Sequence, residues 1–192
     1  MMIEKEYIDK LKDKFNQYEE KRDKVIQLGI KLNRLSKSVI YSTIRGDLES
    51  AKNYINEMKK IKEELEKIVN EEKTLYNNIQ VNLQEYAEAM IFYYFITENK
   101  IIKNYEIEVE EYPYVMGLMD FVGELYRKSI EEMLKNNIEF AEKAREIIFE
   151  IYQYMLYMEF KNYDIRRKVD YVGDIYNLLT DKLFIRKSTR CD

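Results

Sequence analysis

The stretch LQEYAEAMIFYYFI, residues 83–96, sets the fold class of this 192-residue chain. Nearly every residue from Ala87 to Ile96 is apolar, so a helix over this stretch has no polar side. A helix of this kind is normally surrounded by other protein elements. Glu88 lies within the run, and a buried carboxylate loses hydration at a cost of several kcal/mol unless a partner compensates. We therefore predict a buried helix whose carboxylate has a compensating partner.

The composition of the whole chain favours helices over a sheet. It contains only five glycines and one proline, while Lys, Glu, Ile, Leu and Tyr are abundant. Apolar residues recur at helical spacing, as in residues 25–40. At this length the chain most economically forms one domain with its own core. The sequence thus predicts a single all-α domain over residues 1–192, a bundle of six or seven helices.

Local signals predict where these helices end. Gly46 is the expected breaker after the first helix, and Asp47 is the expected N-cap of the second. A loop that includes Pro113 is expected to contain a short strand-like segment, residues 105–110. Asp164 is the expected N-cap of the last helix. The predicted helices cover residues 3–44, 48–70, 72–98, 114–136, 138–160 and 165–184.

Missing residue types exclude several kinds of site. The chain has no histidine, which excludes imidazole catalysis, Ser-His or Cys-His nucleophiles and the Glu-x-x-His pairs of ferritin-like centres. Cys191 is the single cysteine, so no intramolecular disulfide or cysteine zinc site can form. No segment reaches the roughly 18 uninterrupted apolar residues of a membrane span, and the N-terminal residues lack a signal-peptide apolar region. We therefore expect a cytoplasmic protein without a membrane partner.

Four acids on two predicted helices are the candidates for chemistry. Glu85 and Glu88 are three residues apart, and Asp120 and Glu124 are four apart within an apolar stretch. Each pair therefore projects from one helical face. If the two helices pack at this level, the carboxylates repel one another unless a cation lies between them, and Mg²⁺ or Mn²⁺ suits such an all-oxygen site. The alternative is that each acid reaches the surface or pairs with a cation such as Arg127.

At these residues the sequence resembles the translin family, and in particular its catalytic branch, translin-associated factor X. The Gln-Glu-x-x-Glu-Ala pattern of the family is matched by residues 84–89, and its Gly-Leu-x-Asp-x-x-Gly-Glu-Leu-x-Arg motif by residues 117–127. IRRKVD, residues 165–170, is similar to the Arg-Arg-Lys-x-Asp segment of the family. LNRLSKSVIYSTIRGD, residues 32–47, is similar to its N-terminal signature. Four motifs thus follow in the same order as in the family.

Two positions depart from the family pattern. Ile44 replaces a histidine that is frequent before the Arg-Gly turn, and Gly173 occupies a place where an arginine is common. Neither change touches the four acids, and both bear on RNA contacts or subunit interfaces.

The resemblance implies a fold, an assembly and an activity. It implies an all-α bundle whose protomers form a closed, hollow homo-oligomer. It also implies a divalent-cation-dependent endoribonuclease acting on single-stranded RNA or on RNA enclosed in the oligomer. Glu85, Glu88 and Asp120 would be its catalytic residues and its Mg²⁺ or Mn²⁺ ligands, with Glu124 as a further ligand. The alternatives are a non-catalytic protein that binds single-stranded RNA or DNA, as translin does, and a helical scaffold that binds no nucleic acid.

RNA can approach a protein of net charge -4 only where basic side chains offset the repulsion. Residues 21–45 hold seven cationic residues and one acid, and seven minus one gives a local excess of six positive charges. The predicted RNA-binding residues are Lys31, Arg34, Lys37, Arg45, Arg127, Arg166, Arg167 and Lys168. The alternative is that these cations form solvated faces or pair with neighbouring acids.

Aromatic residues are abundant, with eighteen tyrosines. The fifth predicted helix, in residues 147–160, is more apolar than one internal seam requires, which favours self-assembly. Most tyrosines are interpreted as core or interface residues. Tyr86 and Tyr93 are close enough to the acids for base stacking to remain open.

Overall fold

The computed structural model describes residues 3–188, and this part of the chain consists of helices and connecting segments. The α-helices are α1 (Lys5–Arg45), α2 (Leu48–Glu71), α3 (Gln80–Glu98), α4 (Glu111–Leu134), α5 (Ile138–Tyr157) and α6 (Tyr163–Ser188). Two short 3-10 helices, Lys73–Asn78 and Asn104–Glu106, flank α3. No strand occurs within residues 3–188, so the predicted all-α class is confirmed. Cys191 lies outside the described residues.

The turn between α1 and α2 forms as the sequence predicts. Gly46 has a φ of 79°, in the left-handed region that favours glycine. Its N–H donates to the carbonyl oxygen of Thr43 at 3.1 Å, and the N–H of Asp47 donates to that of Ser42 at 2.9 Å. The Asp47 carboxylate then caps α2 by accepting a hydrogen bond from the N–H of Ser50. Both predicted end signals are therefore confirmed.

Two predictions around α3 are wrong. The third helix was expected from residue 72, but residues Lys73–Asn78 form a 3-10 helix and α3 begins at Gln80. Asn77 and Asn78 lie in this interval, and asparagine disfavours the interior of an α-helix because its side chain competes for backbone groups. The expected strand-like segment, residues 105–110, is irregular after a 3-10 turn. An extended segment requires a neighbouring strand, and the described chain provides none.

Two further boundaries differ from the prediction. Pro113 lies in the first turn of α4 rather than in the preceding loop, where its missing N–H costs nothing because that N–H has no partner within the helix. The cap of α6 is Asn162 rather than Asp164. Its side-chain oxygen accepts a hydrogen bond from the N–H of Ile165 at 3.1 Å.

The chain divides between Tyr86 and Ala87, within α3, into two compact units. The assignment of residues 1–192 to one domain therefore stays a prediction. No helix among the described residues is both long enough and apolar enough to cross a membrane.

In the first unit, α1 and α2 form an antiparallel pair. Three ion pairs cross between them, Lys21 with Glu71, Lys24 with Glu64 and Lys31 with Glu57. Buried apolar side chains fill the space between the two helices. The largest are Leu32, Met58 and Leu65.

In the second unit, α4, α5 and α6 pack against one another. Phe121 of α4 also contacts two rings of α3 edge-on, with centroid distances of 6.3 Å to Phe92 and 5.5 Å to Phe95. Glu88 lies one helical turn before Phe92, and Asp120 directly precedes Phe121. The aromatic contact therefore sets the level at which these two acids lie.

The end of α4 is held by Glu132. Its carboxylate accepts hydrogen bonds from Lys128 Nζ and Asn137 Nδ2, both at 2.8 Å. The contact with Lys128, which is itself buried, is the main cause of a pKa of Glu132 lowered from 4.5 to about 2. A group whose pKa is lower in the folded state stabilises the fold above its unfolded pKa, and this stabilisation is lost as the pH falls.

We expect the free energy of unfolding of the wild type to fall from pH 4.5 to about 2, and Glu132→Gln to show a smaller fall. Urea denaturation at several pH values measures both. Glu131→Gln, one residue away, is the matched control and should follow the wild type. An equal fall in Glu132→Gln and in the wild type would contradict this role of Glu132.

Candidate acidic site

Three of the four predicted acids act electrostatically on one side chain in the second unit. Glu88 of α3 is buried, with 9% of its surface exposed. Asp120 and Glu124 lie on consecutive turns of α4. The negative charges of all three act on the hydroxyl group of Tyr171, on α6. Three helices therefore contribute to one acidic site.

Tyr171 stands close against α4. Its hydroxyl oxygen lies 2.6 Å from the position that a Cβ atom on Gly123 would occupy, so glycine makes this approach possible. Burial, followed by the charges of Asp120, Glu124 and Glu88, raises the pKa of Tyr171. The phenol therefore stays protonated at neutral pH and is a hydrogen-bond donor among carboxylates.

Asp120 has a cationic partner. Lys168 of α6 forms an ion pair with its carboxylate, and Lys168 Nζ also lies 3.4 Å from the carbonyl oxygen of Met116. The side chains of Lys168 and Asp120 are 22% and 26% exposed. The sequence left open whether these acids bind a metal ion or pair with cationic side chains. Asp120 forms such an ion pair in the structure.

Glu124 has a looser partner. Arg127 Nη1 lies 3.5 Å from Glu124 Oε2, and this oxygen is buried without a hydrogen bond from the described residues. A buried carboxylate oxygen without a hydrogen bond is unfavourable unless a cation or water satisfies it. By their chemistry alone, carboxylate oxygens are the donors that a hard cation such as Mg²⁺ prefers. In the structure, however, no group of three or more acids within residues 3–188 is placed to hold a metal ion.

The fourth acid, Glu85, lies on α3 three residues before Glu88 and belongs to the first unit. It is half-buried. The neighbouring tyrosines are buried, with Tyr86 1% and Tyr93 6% exposed. Neither offers a free ring face, so both are core residues rather than a platform for bases.

The predicted RNA-binding residues of α1 differ in their partners. Lys31 is paired with Glu57 at 2.6 Å, and this contact lowers the pKa of Glu57. Arg34, Lys37 and Arg45 are exposed on one side of α1 and form no ion pair within the described chain. These three cations therefore remain available to an anionic ligand.

The cations of the second unit divide in the same way. Arg127 and Lys168 contact the acids of the site. Arg166 and Arg167 are exposed, and neither pairs with a carboxylate in the part of the chain that the structure describes. The segment IRRKVD thus directs its lysine to Asp120 and leaves both arginines unpaired.

Sequence reasoning did not identify Tyr171 as a residue of the site. The available signal was its position three residues after Lys168, which places both side chains on one face of α6. A second unforeseen feature is the packing of Gly173. A Cβ atom there would lie 3.0 Å from ring atoms of Tyr152, so an arginine at this position would require the ring to move.

The described chain is thus an all-helical protein with an acidic site. Comparisons with known proteins identify its family. The model of the Translin family matches residues 20–174, which is most of the chain. This chain therefore belongs to the Translin family. The crystal structure of apo-NeC3PO is 38% identical in sequence, with a TM-score of 0.91 over 97% of this chain and 99% of that chain.

More distant relatives share the fold or part of the sequence. A complex of AfC3PO with duplex RNA and a crystal structure of AfC3PO are each 19% identical, with TM-scores of 0.86 and 0.85 over 97% of this chain. The two matches cover 99% and 100% of the AfC3PO chains. At 19% identity they show a shared fold alone. The uncharacterized protein MJ0175 of Methanocaldococcus jannaschii is 30% identical over 90 residues, 45% of this chain and 40% of that protein. The match spans less than half of that relative.

Replacement of Gly123 by alanine tests the placement of Tyr171. The added Cβ atom would lie too close to the hydroxyl oxygen, so the ring has to swing away from the acids. Because Tyr171 is 42% exposed, we expect the free energy of unfolding to change by less than about 1 kcal/mol. The pKa of Tyr171 should fall towards that of an ordinary tyrosine.

An NMR titration of protein carrying ¹³C at tyrosine Cζ measures this pKa, and Tyr171→Phe assigns the signal. A Gly123→Ala protein in which Tyr171 titrates as in the wild type would show that the ring does not depend on Gly123.

Proposed function

We propose that this chain is a divalent-cation-dependent endoribonuclease similar to translin-associated factor X, acting on single-stranded RNA or on RNA enclosed in an oligomer. The observation that carries the proposal is that the charges of Glu88, Asp120 and Glu124 all act on Tyr171 in a member of the Translin family. The similarity in fold to AfC3PO, which has been solved with duplex RNA, supports RNA as the ligand.

In this proposal Glu85, Glu88 and Asp120 hold Mg²⁺ or Mn²⁺, and Glu124 is a further ligand. A divalent cation lowers the pKa of a bound water and stabilises negative charge on a phosphoryl oxygen. The buried oxygen of Glu124 that lacks a hydrogen bond supports a cation at this place.

The surrounding residues have separate tasks. Lys168 balances the charge of Asp120 in the structure. Released from Asp120, its ammonium group is free to bind a phosphate of the substrate. The phenol of Tyr171 is subject to the charges of these carboxylates, and we propose that it donates a hydrogen bond to one of them when RNA is bound and so orients it. Both residues thereby prepare the acids for RNA without acting as nucleophile or base.

Cationic side chains of both units are proposed to bind the RNA. Arg34, Lys37 and Arg45 of α1 carry unpaired charge and are proposed to bind phosphates, together with the other predicted RNA-binding residues. Single-stranded DNA offers the same phosphate charge and is a second proposed ligand.

Exposed apolar residues support a homo-oligomer. At the end of α5, at least half of the surface is exposed in each of Leu156, Tyr157 and Met158. On α1, Leu11 and Phe15 are exposed. Such surfaces commonly become buried between subunits. A closed, hollow assembly is the form that we propose.

The experiment that tests this function is cleavage of an end-labelled single-stranded RNA by the purified chain with Mg²⁺, with Mn²⁺ and with a chelator. We expect internal cleavage with either metal and none with the chelator. The second candidate is a non-catalytic protein that binds single-stranded RNA or DNA, and the Asp120–Lys168 ion pair favours it. Tight RNA binding without cleavage under any metal condition would establish this candidate instead.

A further inference from the structure

We infer that a cavity between the end of α5 and the start of α6 binds one nucleotide of the RNA, with the base inside and the phosphate on Arg166 and Arg167. The inference rests on the proposed function and adds a second contact site to it. The cavity has a volume of about 360 Å³, within the range of small-molecule sites. It therefore accepts a group of the size of a base with its sugar.

The walls of the cavity suit the base. Met155 and Val169 are buried at its floor, and the rings of Phe160 and Tyr163 line its side. Every base has a π face that stacks on aromatic side chains, and single-stranded RNA exposes its bases for such contacts. Tyr163 is 67% exposed, so its ring, unlike the buried rings of α3, is accessible to a base.

The charges around the cavity suit the phosphate. Arg166 and Arg167 both line the cavity. Glu159 and Asp170 line it as well, yet neither arginine forms an ion pair with a described carboxylate. Guanidinium groups bind phosphates through paired hydrogen bonds. The two carboxylates remain acceptors for the N–H groups on the edge of a base.

The position of the cavity connects it to the acidic site. Arg167 directly precedes Lys168, which contacts Asp120. Arg167 also lies four residues before Tyr171, a rise of about 6 Å along a helix. A nucleotide in the cavity therefore belongs to a strand that also passes the acids, and it fixes where along the RNA the acids act.

The test is binding of the four nucleoside 5′-monophosphates to the full chain in the presence of a chelator, measured by calorimetry. We expect the wild type to bind at least one of them and the corresponding nucleoside more weakly. The variant Arg166→Gln/Arg167→Gln should lose about tenfold or more in affinity, since two charge-assisted contacts are removed. Tyr163→Leu should lose about fivefold or more because base stacking is lost.

The matched control is Lys143→Gln/Lys182→Gln. These exposed, unpaired lysines lie on the same two helices, outside the cavity lining, and their replacement removes the same charge. The control should bind nucleotides like the wild type. Equal loss in the control and in the arginine variant would overturn the inference, because it would reveal general electrostatic attraction.

Two other outcomes would also overturn the inference. In one, the wild type binds none of the four nucleotides. In the other, the arginine variant changes the mass of the oligomer while nucleotide binding is kept, which would show that a second copy of the chain covers the cavity. Light scattering measures that mass.

Because the binding assay needs neither metal nor cleavage, it is separate from the test of the proposed function. Cleavage without nucleotide binding would remove only the cavity inference. Nucleotide binding that depends on both arginines, without cleavage, would remove only the nuclease.

Discussion

The Glu88→Gln protein is expected to cleave single-stranded RNA at least about a hundredfold more slowly than the wild type, the loss typical when one placed electrostatic group is removed. Glutamine has nearly the same shape but no charge, so the apolar surroundings of the side chain are kept. Glu88 is buried, and its charge acts on Tyr171 together with those of Asp120 and Glu124. Single-turnover cleavage at saturating Mg²⁺ measures the effect on chemistry.

The matched control for this prediction is Glu98→Gln. Glu98 ends the same helix and is exposed, so its replacement removes the same charge outside the site. We expect wild-type cleavage from the control, and unchanged RNA affinity and oligomer mass in both variants. Cleavage by Glu88→Gln at the wild-type rate would mean that Glu88 balances charge within the fold and takes no part in catalysis.

The helical fold was predictable because its signals are local. The spacing of Leu32, Leu35 and Val39 identifies the buried side of α1, and the pair Gly46–Asp47 ends one helix and caps the next. The errors arose where two local signals compete. Asn162 and Asp164 are both good caps, and only the hydrogen bond that Asn162 Oδ1 accepts from the N–H of Ile165 decides between them.

The convergence of the acids stays a prediction, and its basis in the sequence is of a different kind. Glu88 and Asp120 are charged residues in apolar stretches, and burying both stretches in one unit brings the charges towards each other. The sequence left open whether each acid has a cation beside it. Lys168 is 48 residues from Asp120 along the chain, so their ion pair depends on how α6 packs on α4. Tyr171 reaches the site through the same packing and through the space at Gly123.

The departure at Gly173 illustrates the same limit. The sequence shows only that glycine replaces an arginine that is common in the family, a change that bears on RNA contacts or subunit interfaces. In the structure the ring of Tyr152 occupies the space where a side chain would begin. The glycine is therefore explained by packing between α5 and α6, which a pattern within one helix does not reveal.

The metal-site and ion-pair interpretations of Asp120 predict opposite behaviour for two variants. If Asp120 is a metal ligand, Mg²⁺ at about 100 times its Kd should raise the free energy of unfolding of the wild type by about 2.7 kcal/mol. Asp120→Asn should lose most of this increase. Lys168→Met should keep it or enlarge it, because the ammonium group that repels a second cation is gone.

Urea denaturation of each variant with Mg²⁺ and with chelator measures these differences. Comparison within each variant removes the small cost of breaking a partly exposed ion pair. Glu131→Gln on α4 is the control for a lost carboxylate and should respond to Mg²⁺ like the wild type. Equal destabilisation of Asp120→Asn and Lys168→Met, with no response to Mg²⁺ in any of the proteins, would assign Asp120 to the ion pair. A response that Asp120→Asn loses and Lys168→Met keeps would place the cation at Asp120, because the two variants break the same ion pair and differ only in the carboxylate that remains.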